Sequence, residues 1–239
     1  MKVLITGANG FVGKNLIAAL TEQEGLEILS YDIKTGKDLL SDYCKVCDFV
    51  YHLAGVNRTE NKEDYYTGNV GFTQNLIEYL AAGKNSCPIL YTSSIHAVLD
   101  NPYGRSKKAC EELLHEYGEN NQVKSFIYRL PNLFGRWCKP NYNSVIATFC
   151  YNISNGLPIH ISDPDITINF AYIDDLVKEF ISALTGRGYR GSDLFYTIPI
   201  THKVSLGQIA QLLYAFKEGY KPENIDTFES KLYCTYLSY

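Results

Sequence analysis

Gly7-Ala8-Asn9-Gly10-Phe11-Val12-Gly13 follows the apolar run Lys2-Val3-Leu4-Ile5-Thr6 and opens a helical pattern over residues 12–23, with Leu16, Ile17 and Leu20 on one face. A glycine loop between a strand and a helix suits a dinucleotide for three reasons. The first glycine permits a sharp turn, the second lets the backbone approach a pyrophosphate, and the third lets helix and strand pack closely. The anion then rests on unpaired N–H groups at the helix N-terminus. Gly7, Gly10 and Gly13, with Asn9, Phe11 and Val12 between them, are therefore candidate cofactor contacts. The spacing is G-x-x-G-x-x-G rather than the commoner G-x-G-x-x-G.

Working outward, short β-branched and aromatic runs at 26–31, 49–53, 89–92 and 125–130 alternate with helical patterns at 73–82 and 107–117. Strands and helices alternating at this spacing predict right-handed βαβ units. The fold class is α/β, a doubly wound parallel sheet of the Rossmann kind over residues 1–130. After Pro131 the character changes, and 131–170 is rich in Asn, Pro and aromatic residues, including Trp137, Tyr142, Phe149 and Tyr151. Residues 131–239 read as a small C-terminal substrate-binding lobe interwoven with the core. Its expected helices cover 172–184 and 205–216, the latter after an N-cap at Ser205.

Bulk properties narrow the function. A net charge of −4, with scattered Lys and Arg, gives no nucleic-acid footprint. No apolar run approaches the roughly 18 residues that span a bilayer, and the N-terminal run is too short for an export signal. The expectation is a cytoplasmic enzyme with neither nucleic-acid nor membrane partners. Cys44-x-x-Cys47 stands without a second pair at metal-binding spacing, so the seven cysteines read as reduced, mostly buried thiols and no metal site is expected.

Asp32 ends the second predicted strand, 19 residues past Gly13 (32 − 13). A carboxylate there accepts hydrogen bonds from ribose hydroxyls and repels a 2′-phosphate, which favours NADH. Lys34 offsets this, because it can pair with that phosphate. Tyr103 and Lys107 stand four residues apart and so share a helix face. A nearby ammonium favours the phenolate and brings a phenol that ordinarily titrates near ~10 toward the working range. Thr92-Ser93-Ser94 ends a strand, where ligands bind in such sheets. A serine hydroxyl there can bond the substrate oxygen beside Tyr103.

In order along the chain, the Gly7/Gly10/Gly13 loop, His52-Leu53-Ala54-Gly55, Asn69, Thr92-Ser93-Ser94, Tyr103-x-x-x-Lys107 and Tyr172-Ile173-Asp174-Asp175 resemble the extended short-chain dehydrogenase/reductases that act on nucleotide sugars, the NAD-dependent epimerase/dehydratase superfamily. The resemblance implies Ser94 as the catalytic serine, with Ser93 the alternative, beside Tyr103 and Lys107. It implies cofactor contacts from Asp38-Leu39 beside the adenine, from Leu53, Ala54, Gly55 and Asn69, and from Arg129 and Pro131. It also implies a homodimer through the helices from Thr73 and Lys107.

Ala54-Gly55-Val56-Asn57-Arg58, Asp100-Asn101-Pro102-Tyr103-Gly104 and the long stretch from Pro131 to Cys150 further resemble the reductase domain of CapF-type capsular polysaccharide enzymes. That branch implies NADPH-dependent reduction of the C4 ketone of a UDP-4-keto-6-deoxy-N-acetylhexosamine, and a cupin epimerase domain that is not among these residues, whether a separate chain or removed. Expected UDP-sugar contacts are Ser94, Ile95 and His96, with Asn132, Arg136, Lys139 and Asn143 meeting the diphosphate and sugar oxygens and Trp137 or Tyr142 packing. Superfamily dehydratases carry an Asp-Glu pair directly after the active-site hydroxyl. Here Ile95 and His96 stand instead, which argues against elimination. A nucleotide-sugar 4-epimerase with retained NAD is the second reading. A non-catalytic NAD(P)-binding sensor is the third, and it would be expected to have lost Tyr103 or Lys107.

Overall fold

Parallel strands need crossover connections, and helices supply them between five short apolar runs. The runs are β1 (Lys2–Thr6), β2 (Glu27–Tyr31), β3 (Phe49–His52), β4 (Ile89–Ser94) and β5 (Ser125–Leu130), paired in parallel in the order β2-β1-β3-β4-β5. The connections contain α1 (Phe11–Leu20), α2 (Lys37–Val46), α3 (Glu63–Tyr65) leading through a π-helical turn at Tyr66–Gly71 into α4 (Phe72–Ala82), and α5 (Pro102–Asn121). This computed structural model describes residues 1–191 and 194–239, and at Lys37 the backbone alone.

The chain forms two compact units, one of Met1–Leu130 with Val177–Thr197 and one of Pro131–Leu176 with Ile198–Tyr239. In the first, strand periodicity sorts the core onto two faces. Leu4, Val50, Ile89, Tyr91 and Ile127 join Leu40, Cys44, Leu76, Leu80, Cys110 and Leu114 in one buried cluster. Each such Leu or Ile contributes roughly 1.5–3 kcal/mol relative to exposure. On the other face Phe49, Tyr51, Phe126 and Tyr128 are fully buried, and Phe180 stacks on Tyr51 and meets Tyr128 edge-on. That packing, with Tyr51 Oη donating to the Phe180 carbonyl at 2.8 Å, explains why Val177–Thr197 returns to the first unit and not to the C-terminal lobe expected from residue 131 onward.

The order β2-β1-β3 reverses direction at β1, so the crevice beyond the carboxyl ends of β1 and β3 is the expected ligand site of such a sheet. Asp38 and Leu39, expected beside the adenine, lie exposed in the first turn of α2, where Leu40, Cys44 and Cys47 supply the buried stripe. One expectation needs correction. The helix carrying the tyrosine starts at Pro102, not at Lys107. Asn101 caps it, accepting from the Gly104 amide at 2.8 Å, and proline fits the first helical position.

The second unit holds β6 (Asn132–Phe134), β7 (Thr167–Tyr172) and β8 (His202–Ser205), ordered β6-β7-β8, with β6 parallel and β8 antiparallel to β7. It contains α6 (Val145–Ser154), α8 (Leu206–Lys217), α9 (Phe228–Tyr236) and the start of α7 (Ile173–Leu184). Residues 131–170 are thus more regular than their composition suggests. Ser144 caps α6 through the Ala147 amide, and Ile146, Phe149, Cys150 and Ile153 bury one face. Ser205 caps α8 in a capping box with Gln208, as its sequence signature indicates.

Candidate active site

The glycine loop is shaped by what its residues lack. Gly7 has φ +69°, and a Cβ on it would stand 2.8 Å from the Ala54 amide nitrogen. A Cβ on Gly13 would stand 2.3 Å from the Gly7 carbonyl oxygen. The first helical hydrogen bond of α1 runs from Lys14 N to Gly10 O at 3.0 Å, which leaves the amides of Phe11, Val12 and Gly13 to meet an anion. The cradle therefore fits a dinucleotide pyrophosphate. Gly13→Ala is expected to cost on the order of 1–3 kcal/mol from overpacking against backbone that cannot rotate away, and to weaken dinucleotide binding. Denaturant midpoints and a cofactor titration check this, and an unchanged pair of values would contradict it.

Asp32 is held at the loop's edge. Its carboxylate accepts from the Asn9 amide and from its neighbour Ile33, both at 2.8 Å, so it fastens β2 to the glycine loop. Lys34, two residues on, is exposed.

A single face of α5 carries the remaining chemistry. Tyr103, Lys107 and Glu111 repeat at i, i+4 and i+8 and lie along β4. Gly104 makes this approach possible, since a Cβ there would stand 2.3 Å from the Leu99 carbonyl oxygen and 2.6 Å from that of His96. Lys107 is 3% exposed, donates to the Thr92 carbonyl at 2.9 Å, and sits 4.8 Å from the Tyr91 ring centroid and 5.9 Å from that of Tyr103. Burial lowers its pKa to about 8, against an upward pull from Cys110 and Glu111, so it remains an ammonium at neutral pH. Burial raises the Tyr103 phenol, Ser94 draws it down, and Tyr65, packed edge-on at 5.8 Å, raises it. The Tyr103 hydroxyl donates to Asn57 Oδ1 at 3.1 Å.

The two serines of β4 have different partners. Ser93 Oγ donates to Glu111 Oε1 at 2.5 Å, and Glu111 also takes two hydrogen bonds from Arg129, at 2.9 and 2.7 Å. Arg129 lies beside Ser93 in the β4–β5 register and stacks 3.6 Å from the Phe195 ring centroid. Ser93 and Arg129 therefore serve a buried ion-pair network. Ser94 Oγ accepts from the His96 amide at 3.1 Å, which leaves its own proton available. His96 and Ile95 are exposed on the 3₁₀ turn that follows.

Behind this face lies a chain of buried hydrogen bonds. Thr6 Oγ1 accepts from the Ala54 amide at 3.2 Å and meets His52 Nδ1 at 2.9 Å, while His52 Nε2 meets Thr73 Oγ1 at 2.9 Å. Thr73 Oγ1 donates to the Asn69 carbonyl at 2.8 Å, so His52 carries its proton on Nε2. Burial, with the Lys107 charge, lowers the His52 pKa to about 3 and keeps it neutral. Asn69, in the π-helical turn, uses its side chain to grip both backbone groups of Val56 and the Ser106 hydroxyl. This clamp fixes the loop from Leu53 through Ala54 and Gly55 to Asn57, and a Cβ on Gly55 would lie 3.3 Å from Lys107 Nζ. From the sequence alone, Asn57, Glu111 and Tyr65 have no role at the site, and Thr73 only one as a helix start. The adjoining Asn57-Arg58 sits in a recognisable stretch, but nothing local indicates that it reaches Tyr103.

In the second unit, Asn132 is exposed on β6 and Pro131 is buried just before it. Arg136 lies 3.8 Å from Asp174 and 4.9 Å from the Trp137 ring centroid, and Lys139 lies 5.5 Å from that of Tyr142. Asn143 is exposed beside the Ser144 cap. These four polar residues thus sit on one exposed, aromatic-lined segment.

A phosphate-binding loop at the switch point of a parallel sheet, with a Tyr-x-x-x-Lys helix along β4, defines a nucleotide-dependent short-chain dehydrogenase/reductase architecture. Residues 3–192 match the NAD dependent epimerase/dehydratase family, and the chain belongs to it. It is 42% identical over 243 aligned residues to the UDP-2-acetamido-2,6-beta-L-arabino-hexul-4-ose reductase of Pseudomonas aeruginosa, covering 100% of this chain and 65% of that protein. The structure of the capsular polysaccharide assembling protein CapF from Staphylococcus aureus superposes with a TM-score of 0.90 at 42% identity, over 100% of this chain and 64% of that one. The chain thus spans about two thirds of the length of these relatives. A UDP-glucuronic acid 4-epimerase from Bacillus cereus, solved with NAD, shares the fold at a TM-score of 0.83 and 20% identity, over 100% and 98% of the two chains. Among the described residues no helix is long and apolar enough to cross a membrane.

Proposed function

We propose that this chain reduces the C4 ketone of a UDP-4-keto-6-deoxy-N-acetylhexosamine in the synthesis of surface polysaccharide precursors, acting in the cytoplasm as a homodimer through α4 and α5. The observation that carries the reading is the α5 face. It sets the Tyr103 hydroxyl beside Ser94 and the Tyr103 ring 5.9 Å from the Lys107 ammonium, while Ser93 is committed to Glu111. A bound nicotinamide supplies the hydride. Gly7, Asn9, Gly10, Phe11, Val12 and Gly13 hold its pyrophosphate, and Leu53, Ala54 and Gly55 wall the crevice. Lys107 holds the ribose and faces Tyr103. Tyr103 gives its proton to the oxygen that becomes the alcohol, and Ser94 donates a second hydrogen bond to that oxygen. Arg136 and Lys139 meet the diphosphate, with Asn132 and Asn143 on neighbouring oxygens and Ile95 and His96 flanking the sugar.

NADPH is the proposed reductant, with Lys34 available to its 2′-phosphate; Asp32 retains lone pairs for ribose hydroxyls, which gives NADH a place as well. The protein is to be incubated separately with NADPH and NADH and a panel of UDP-4-keto-hexoses, following loss of reduced-nicotinamide absorbance. Stoichiometric consumption is the expected result. Sugar interconversion without net consumption would instead identify a 4-epimerase, and cofactor binding without turnover of any sugar a sensor.

A further inference from the structure

The Tyr103 hydroxyl has a partner outside the serine–tyrosine–lysine set. Asn57 is exposed on the loop after β3, and its Oδ1 accepts the phenolic proton at 3.1 Å. The loop is not free to drift, because Asn69 grips Val56, the residue before it, through both backbone groups, at 2.7 Å to the amide and 3.2 Å to the carbonyl. Asn69 also bonds Ser106 Oγ at 2.9 Å, and Ser106 Oγ donates to the Tyr103 carbonyl at 2.8 Å. One clamp thus fixes both ends of the Asn57–Tyr103 contact, and Gly68 lets the loop lie close, since a Cβ there would stand 2.5 Å from the Val56 side chain.

Resting on the reductase reading, we propose that Asn57 is a positioning residue for the reduction, holding the Tyr103 phenol as the proton-bearing acid until a ketone oxygen takes the hydrogen bond over. With Oδ1 toward the phenol, as here, Asn57 bonds only the neutral form and opposes ionisation, whereas its amide N–H turned to the same oxygen would favour phenolate. A ketone reductase begins its cycle needing the phenol, while alcohol oxidation begins needing the phenolate. The other groups facing Tyr103 are Lys107 on α5, Tyr91 and the Ser94 hydroxyl on β4, and Tyr65 on α3, with Arg58 next to Asn57 along the loop. Burial raises the Tyr103 phenol, Ser94 lowers it and Tyr65 raises it; by its charge Lys107 favours the phenolate, and Asn57 Oδ1, as an acceptor, opposes it.

The sign of the effect follows. Removing an acceptor that only the phenol can use makes Tyr103 ionise at lower pH. Reduction requires the phenol, so its rate falls on the alkaline side of that ionisation. The pH profile of kcat/KM reports the enzyme before the sugar binds, when Asn57 holds the proton, and that of kcat reports the sugar complex, when the ketone does.

The test compares the full chain with Asn57→Ala and Asn57→Asp, measuring both profiles for NADPH consumption with a UDP-4-keto-6-deoxy-N-acetylhexosamine. In Asn57→Ala the alkaline limb of kcat/KM is expected to move down by on the order of half to one pH unit, with the kcat limb in place. Asn57→Asp keeps the acceptor and adds a negative charge, which moves the kcat/KM limb upward. A general structural lesion moves both profiles or neither. In parallel, phenolate absorbance is titrated with and without Tyr103→Phe, in both the Asn57 and the Asn57→Ala backgrounds, so that the difference isolates Tyr103 without any sugar. A Tyr103 titration and a kcat/KM limb both unmoved by Asn57→Ala would overturn the proposal. If no keto sugar is reduced by the unaltered protein, the reductase reading fails, and the absorbance titration still decides whether Asn57 holds the phenolic proton.

Discussion

Replacing Tyr103 by Phe is expected to slow ketone reduction by a factor of roughly 10²–10⁴, the range for loss of a positioned proton donor. At 1.36 kcal/mol per tenfold this is about 3–5 kcal/mol of barrier. The change removes one oxygen and keeps the ring that packs edge-on against Tyr65 and lies 5.9 Å from Lys107 Nζ. Little stability should be lost, because the hydroxyl reaches only the exposed Asn57 and the neighbourhood of Ser94. Cofactor affinity should also survive, since the glycine loop and Lys107 are untouched. The deciding measurement is a single turnover of preformed protein–NADPH mixed with a UDP-4-keto sugar, alongside a nicotinamide-fluorescence titration. A near-normal rate would remove Tyr103 from its role as acid. A lost rate with lost cofactor binding would point to a damaged site rather than a missing proton.

How much of this could be read from the chain depends on the range of each interaction. Gly7, Gly10 and Gly13 act within one turn, so their spacing carried the meaning, and the 2.3 Å that would separate a Gly13 Cβ from Gly7 O is the close approach that spacing anticipates. Tyr103 and Lys107 were legible for the same reason, being one helical turn apart. Ser94 against Ser93 was not decided by adjacent letters. It needed Glu111, which lies 18 residues on along α5 and claims Ser93. Arg129 was expected at the cofactor, and the structure shows it paired to that same Glu111. Its strand position is local information, but its partner is not.

Composition obscures two helices. Lys37–Val46 carries no expected helix, yet Leu40 and Cys44 at helical spacing are 1% and 0% exposed and hold α2 to the sheet. The Asn- and Pro-rich 131–170 segment hides α6, whose apolar positions recur at intervals of three and four after Ser144. In both cases periodicity outweighs average polarity. Asn57 is a different kind of omission. Its side chain is exposed on a loop, and only the long-range clamp from Asn69 brings it to Tyr103.

In the second unit the largest expected stability effect belongs to Lys231→Ala. Lys231 on α9 donates to Asp175 Oδ2 at 2.8 Å, and both side chains are 6% exposed. Removing the amine leaves Asp175 with its charge desolvated and its partner gone, and breaking one side of a buried pair typically costs about 3–5 kcal/mol. Lys231 Nζ also lies 6.0 Å from the Tyr172 ring. Burial and the Lys231 charge lower the His202 pKa while Asp175 raises it, so protonation of His202 offsets part of the loss at acid pH and the full cost is expected at neutral pH and above. By contrast, Lys231→Met combined with Asp175→Leu removes both charges and keeps the volume, so it is expected to be near neutral or mildly stabilising. The comparison separates an ion pair that holds α9 from simple apolar packing of Leu232, which is fully buried beside it. Denaturant unfolding of the single and double variants, with hydrogen exchange followed at the α9 amides, provides the readout. A single variant costing less than about 1 kcal/mol, or a double variant as unstable as Lys231→Ala, would show that α9 is held by its apolar face and not by the pair.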